Sequence, residues 1–175
     1  MKSTKDKIAM KAKTKSTKPV TNWANVSWLI LIQLTIALQW LLSGWGKFVS
    51  DEFVVGFSKT INVFAAKTPN GSYASFLNEI VLPNADFFAN LVRISEILIG
   101  LALVVFGIYY FTHKHLPNSF RSLLVLALFG GALLNLNFYL AAGWSSPSTA
   151  GINMLMGLIQ LILGVFYAKG LMGGK

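Results

Sequence analysis

Four long apolar stretches leave this chain few folds to choose from. They cover roughly residues 26–46, 86–111, 119–142 and 149–171. Each reaches the length of about 20 residues that a helix needs to cross the hydrocarbon core of a bilayer. A backbone in lipid must satisfy its own hydrogen bonds, so such stretches predict helices. Each is bounded by charge, proline or a Gly/Ser cluster, and the second is entered through Pro83-Asn84, a helix-start signal. Only 12% of residues are charged and 54% are hydrophobic. A soluble domain carries about a quarter charged residues. The expected fold is an all-α integral membrane protein: a four-transmembrane-helix bundle over residues 26–172, without an internal repeat.

The net charge of +9 is unevenly spread. Lys2, Lys5, Lys7, Lys11, Lys13, Lys15 and Lys18, with Asp6, put +6 in the first 18 residues. Residues 1–25 read as a disordered basic tail lying near anionic membrane lipid on the cytoplasmic side. Nucleic acid is not expected as a partner, because the tail has almost no aromatic residues and no fold of its own. The tail is too long, and the apolar run behind it too extended, for a cleavable signal peptide.

Lys114 and Arg121 mark the connection between the second and third stretches as cytoplasmic too, and Lys169 and Lys175 do the same for the C-terminus. The segment from 47 to 90 holds three lysines against Asp51, Glu52, Glu79 and Asp86, so it belongs outside. The expected topology is N-in, C-in, in the cell membrane.

Residues 48–83 are too long for a plain connector. Phe53, Phe57, Ile61 and Phe64 share one helical face, and Tyr73, Phe76, Leu77 and Ile80 share another, with a turn at "TPNG" (68–71) between them. Two short amphipathic helices are expected in this external loop. They either anchor to the membrane surface or close as a lid over an outward-facing pocket.

Polar residues inside the spans are costly, so their spacing is informative. Thr35, Gln39, Ser43 and Lys47 recur every four residues along the first span. Asn90, Arg93 and Glu96 line the second, and Thr149, Asn153, Gly157 and Gln160 the fourth. Asn135 and Asn137 sit near the outer end of the third, two residues apart and so on different faces. Turned inward, these stripes form a polar seam. Packing alone accounts for Thr35, Asn153, Gly157 and Gln160.

Arg93 and Glu96 lie about 10–15 Å inside the second span, at 1.5 Å per residue. They either neutralise each other or share the seam with Lys47, which leaves one surplus positive charge for an anion. Trp45 and Trp144 fall at the same end and could wall a pocket for a flat ring; otherwise they belong to an interfacial belt with Trp23 and Trp28. Gly44 and Gly46 are expected to let neighbouring backbones approach.

With no cysteine, the chain cannot perform thiol–disulfide chemistry or supply thiolate ligands to zinc or iron–sulfur clusters. His113 and His115 read as residues of a solvated loop. Neither a metal nor a haem is expected on this chain.

"GWGK" closing the first span, "RISEILIGLALVVFG" in the second and "NLNFYLAAGWSSPS" closing the third resemble the DoxD/DoxX-like membrane proteins. Within that family the resemblance is nearest to the DoxD branch, the large membrane subunits of thiosulfate:quinone oxidoreductases. It covers about residues 26–170 and leaves out the lysine-rich tail.

The resemblance implies a four-helix subunit that oxidises thiosulfate to tetrathionate and reduces a bound, exchangeable quinone. A DoxA-like small subunit is implied as partner, and terminal quinol oxidase subunits as further associates. The family's Gly-Trp-x-Lys motif falls on Gly44, Trp45 and Lys47, and its Arg-x-x-Glu motif on Arg93 and Glu96. The Asn/Phe-rich end of the third span maps to Asn135, Asn137 and Phe138.

On this reading Lys47 and Arg93 bind the dianion, Glu96 handles protons, and Gln39, Ser43 or Asn137 donate to the quinone. The alternatives are an accessory, non-catalytic subunit of a quinol oxidase complex and a small anion carrier.

Overall fold

The structure, a computed structural model, describes residues 23–172. The tail expected over 1–25 falls outside it as far as residue 22, as does Lys175. Six helices follow in chain order: α1 (Trp23–Phe48), α2 (Asp51–Lys67), α3 (Gly71–Phe76), α4 (Ala85–His113), α5 (Asn118–Ala142) and α6 (Pro147–Met172). No strand occurs among the described residues. Four helical segments are long and apolar enough to cross a membrane, one each around α1, α4, α5 and α6. They are the four stretches read from the sequence.

The spans pack as two close pairs, α1 with α4 and α5 with α6. Glycines fix how closely the partners approach. A Cβ at Gly44 would lie 2.9 Å from Ile97 Cγ1 and 3.0 Å from the Ile97 backbone nitrogen. One at Gly100 would meet Leu41 at 2.7 Å. Real side chains do not sit so close, so these helices touch through their backbones. Gly46 has nothing within 4 Å and has no such role. Between α5 and α6 the approach is looser, with Gly164 against the Phe129 ring and Gly157 against Asn135 Cβ.

A core of Ile36, Ala37, Trp40, Leu103, Leu124, Leu128 and Leu163 joins the two pairs. The leucines that face away, among them Leu98, Leu126 and Leu158, are exposed and suited to lipid.

The ends have local causes. α4 stops where Lys114 takes a left-handed conformation (φ 56°) and its N–H bonds Tyr110 O. α6 begins with Pro147 after Ser146, whose Oγ accepts from Thr149 N at 3.0 Å. At the other end of α6, Arg121 Nη1 donates to Gly170 O at 2.6 Å, placing a cation on the last carbonyls.

Residues 49–84 fold over the Lys47 end of the bundle. α2 buries Phe57, Ile61 and Ala65. α3 starts with Asn70 Oδ1 accepting from Tyr73 N. It then runs through a π turn (Leu77–Val81) and a 3-10 turn (Leu82–Asn84) directly into α4. The buried line there is Leu77, Val81, Ala85 and Ala89, and Ile80 is half exposed. Leu82–Pro83–Asn84 is therefore a tightened joint in one long helical run rather than the end of a loop. Thr68 Oγ1 donates to Leu140 O (2.9 Å) and Tyr73 Oη to Asn137 O (3.2 Å), tying this cap to α5.

Candidate functional site

Where α1 crosses α4, Lys47 meets Glu96. Glu96 is fully buried and Lys47 keeps 26% of its side chain exposed. The Gly44 contact brings the Glu96 backbone close enough for the two to join. Lys47 Nζ donates to Glu96 Oε1 (2.8 Å), Glu96 Oε2 (2.7 Å) and Ser43 Oγ (2.6 Å). An ammonium has three N–H groups, and all three are engaged. The rings of Phe53 and Phe138 lie 5.9 and 5.8 Å from Nζ, a cation–π environment that shields the pair from water. A buried pair holds only when its hydrogen bonds are this complete.

Arg93, one turn away on α4, does not pair with Glu96. Its Nη2 donates to Asn90 Oδ1 (2.5 Å), and its guanidinium lies 5.5 Å from the Phe48 ring. Its Nε is buried without a partner. Among the side chains that the structure describes, which leave out Asp51, no carboxylate pairs with it. Of the two cations, Arg93 is the one with donors to spare, because all three Lys47 N–H groups are used. A guanidinium carries five N–H donors, and one is used.

The stripe along α1 divides. Ser43 and Lys47 turn inward, whereas Thr35 and Gln39 are exposed and Thr35 Oγ1 donates to Leu31 O. Four residues advance 400° around a helix, so three such steps drift by about 120°. Alternating steps of four and three hold a face. The buried line is accordingly Gln33, Ala37, Trp40 and Gly44.

Gln33 was not among the candidates. It is fully buried, donating to Leu103 O (2.7 Å) and accepting from Tyr167 Oη (2.8 Å). Its signal was available: a lone amide in the apolar run 28–34, seven residues before Trp40.

Asn135 and Gln160 are both buried, with their side-chain amides 2.7 Å apart. Trp40 Nε1 can only donate, and it lies 2.8 Å from the Gln160 amide, which turns the Gln160 oxygen toward the indole. The Gln160 NH₂ then faces Asn135 and Gly131 O. One network thus fastens α1, α5 and α6, the packing role read for Gln160. On α1, two helical turns containing Ile36 and Ala37 separate this network from Gln33, an apolar layer of about 10 Å.

Asn137 points away from Asn135 to the cap, where Tyr73 bonds its backbone carbonyl and its Oδ1 lies 3.4 Å from the phenol. Trp45 is exposed and stacks on Phe48. Trp144 donates to Ala141 O, and Lys67 covers its ring at 5.1 Å. The two indoles have separate partners and form no common wall.

Two cavities lie near the ion pair, both walled in part by Phe138. A small one of about 70 Å³ is lined by Gln39, Ser43, Asn135 and Asn153, with Trp40, Phe138, Ile152 and Met156. It has room for water or a small polar ligand but falls well below the roughly 300 Å³ at which organic-ligand sites begin. The other, about 320 Å³, lies beneath α2 and α3 against α4 and α5.

His113 bonds Tyr109 O and stacks on the Tyr109 ring. Among the described residues no three His, Asp or Glu side chains cluster as a metal site would require.

Compared with known proteins, the chain matches no family model, no curated protein and no solved structure.

Proposed function

We propose that this chain is the membrane subunit of a DoxD-type oxidoreductase that oxidises thiosulfate to tetrathionate and reduces a membrane quinone. In this reading the Lys47 end and its cap face outward from the cell membrane, and both termini are cytoplasmic. A DoxA-like small subunit completes the enzyme, and quinol oxidase subunits take up its product.

Two thiosulfate dianions each lose one electron and join through a new S–S bond. The quinone takes both electrons and two protons.

The observation that carries the proposal is the division of labour between the two cations. Lys47 is saturated by Glu96 and Ser43, so it holds the site together. Among the described side chains Arg93 has one partnered N–H and no carboxylate, which leaves donors for an oxoanion. A second dianion must approach the first, and fixed positive charge lowers that repulsion. Ser43 and Gln39 line the small polar cavity below and offer hydrogen bonds there. In this reading Glu96 exchanges protons through Lys47, which links it to Ser43 at the cavity.

The purified native complex in nanodiscs, given thiosulfate and a short-chain quinone, tests this. Reduction is expected, with kcat/KM lowered about 10- to 100-fold by Arg93→Gln, as loss of charge-assisted hydrogen bonds predicts. No quinone reduction, or thiosulfate uptake into vesicles without redox change, would overturn the proposal.

A further inference from the structure

We infer that the 320 Å³ pocket beneath α2 and α3 binds a flat, neutral ring carried on an apolar tail, which enters from the lipid between α4 and α5. The inference deepens the proposed function, on which it rests for calling that ring the electron acceptor.

The lining contains no charged side chain, which excludes an anion. It is built largely from aromatic rings, including Phe57, Phe64, Phe76 and Phe88, which offer faces and edges to a planar guest. Its only polar side chains are Tyr73 and Asn137. Asn137 Nδ2 gives one N–H to Leu133 O, which leaves the other to donate. Tyr73 Oη donates toward Asn137, which leaves its oxygen able to accept.

A ring carbonyl can thus accept from Asn137, and a ring hydroxyl can donate to Tyr73, so both oxidation states have a partner. A saturated acyl chain would cover these groups and satisfy neither.

The pocket reaches the surface at Leu91 and Leu133, which are 45% and 61% exposed on the faces of α4 and α5 turned away from the core. Those faces suit acyl chains, so an apolar tail can remain in lipid while the ring is inside. Phe138 forms part of the pocket wall, and its ring lies 5.8 Å from Lys47 Nζ. The bound ring is therefore one side chain away from the ion pair.

The test is equilibrium binding of a tritiated decyl-substituted benzoquinone to the full chain in phosphatidylcholine nanodiscs, with thiosulfate omitted. Saturable binding is expected, weakened at least tenfold by Leu134→Trp, which fills the pocket, and several-fold by the milder Asn137→Ala, which removes the N–H offered to a ring carbonyl. Leu158→Trp, in the separate groove between α5 and α6, is expected to bind like wild type.

Three results would overturn the inference: no saturable binding, equal weakening by Leu158→Trp and Leu134→Trp, or displacement of the probe by decane as effectively as by unlabelled ring. Pocket-specific binding without thiosulfate-driven reduction would uphold the pocket and remove the proposed function instead.

Discussion

Removing either partner of the Lys47–Glu96 pair should destabilise the bundle, but not equally. Glu96 is fully buried and accepts two of the three Lys47 hydrogen bonds. Lys47 keeps a quarter of its side chain exposed and has a flexible stem. In Lys47→Met the carboxylate has no route to water, and breaking a buried pair in this way costs about 3–5 kcal/mol. In Glu96→Leu the ammonium can swing outward, keeping its stem on apolar surface. That cost should be smaller, about 1–2 kcal/mol, in the range for a lost hydrogen bond to a charged group. The double variant Lys47→Met/Glu96→Leu removes both charges from the interior. It should recover most of the loss, because apolar replacement of a whole buried pair is often neutral or stabilising.

The assay is reversible unfolding of the four proteins in mixed micelles, read as a double-mutant cycle. A coupling of about 2 kcal/mol or more is expected. Single costs below about 1 kcal/mol with no coupling, as for an exposed surface pair, would rule out a buried, mutually dependent pair.

Three further outcomes follow from the same contacts. Gly44→Ala places a methyl against the Ile97 backbone and should cost about 1–3 kcal/mol of overpacking, whereas Gly46→Ala, in open space, should leave the unfolding midpoint unchanged. Gln160→Leu strands the Trp40 N–H and the Asn135 amide and should cost about 1–3 kcal/mol in the same unfolding assay; Gln160→Glu, which keeps an acceptor for Trp40, tests whether that bond is the larger part. A phosphatase fused after Lys175 should be inactive and a cytoplasmic fluorescent reporter there active, in keeping with the lysine distribution; the reverse would invert the assignment of the Lys47 end.

The spans were legible because long apolar runs admit one solution, and their limits differ from the helices by a few residues. The segment 48–83 also showed its pattern in Phe53, Phe57 and Ile61, but the continuous run from Tyr73 through Pro83 into α4 was hidden. Proline and asparagine signal a break, and here they only tighten the helix.

Lys47, Ser43 and Glu96 were candidates from spacing alone, and they meet. Their partner choice was not legible, because Arg93 is nearer to Glu96 in sequence. The crossing of α1 over α4 at Gly44 decides it. Thr35 was misplaced by following a four-residue period too far along a 3.6-residue helix, whereas Gln39, though largely exposed, still lines the small cavity with Ser43. Gln33 and Tyr167 escaped notice because each is a single polar group whose partner lies on a distant helix. Of the aromatic pocket only the faces of the two external helices were legible, since its walls come from four α-helices and a π turn.

In the proposed enzyme Arg93, and not Lys47, holds the charge available to an anion. Titration calorimetry of thiosulfate into the full chain at low salt measures this directly, comparing wild type, Arg93→Gln and Lys59→Gln, an exposed lysine on α2 that controls for net charge. Affinity is expected to fall tenfold or more in Arg93→Gln and to stay within twofold of wild type in Lys59→Gln. Equal binding by Arg93→Gln and wild type, or an equal loss in both variants, would contradict the claim.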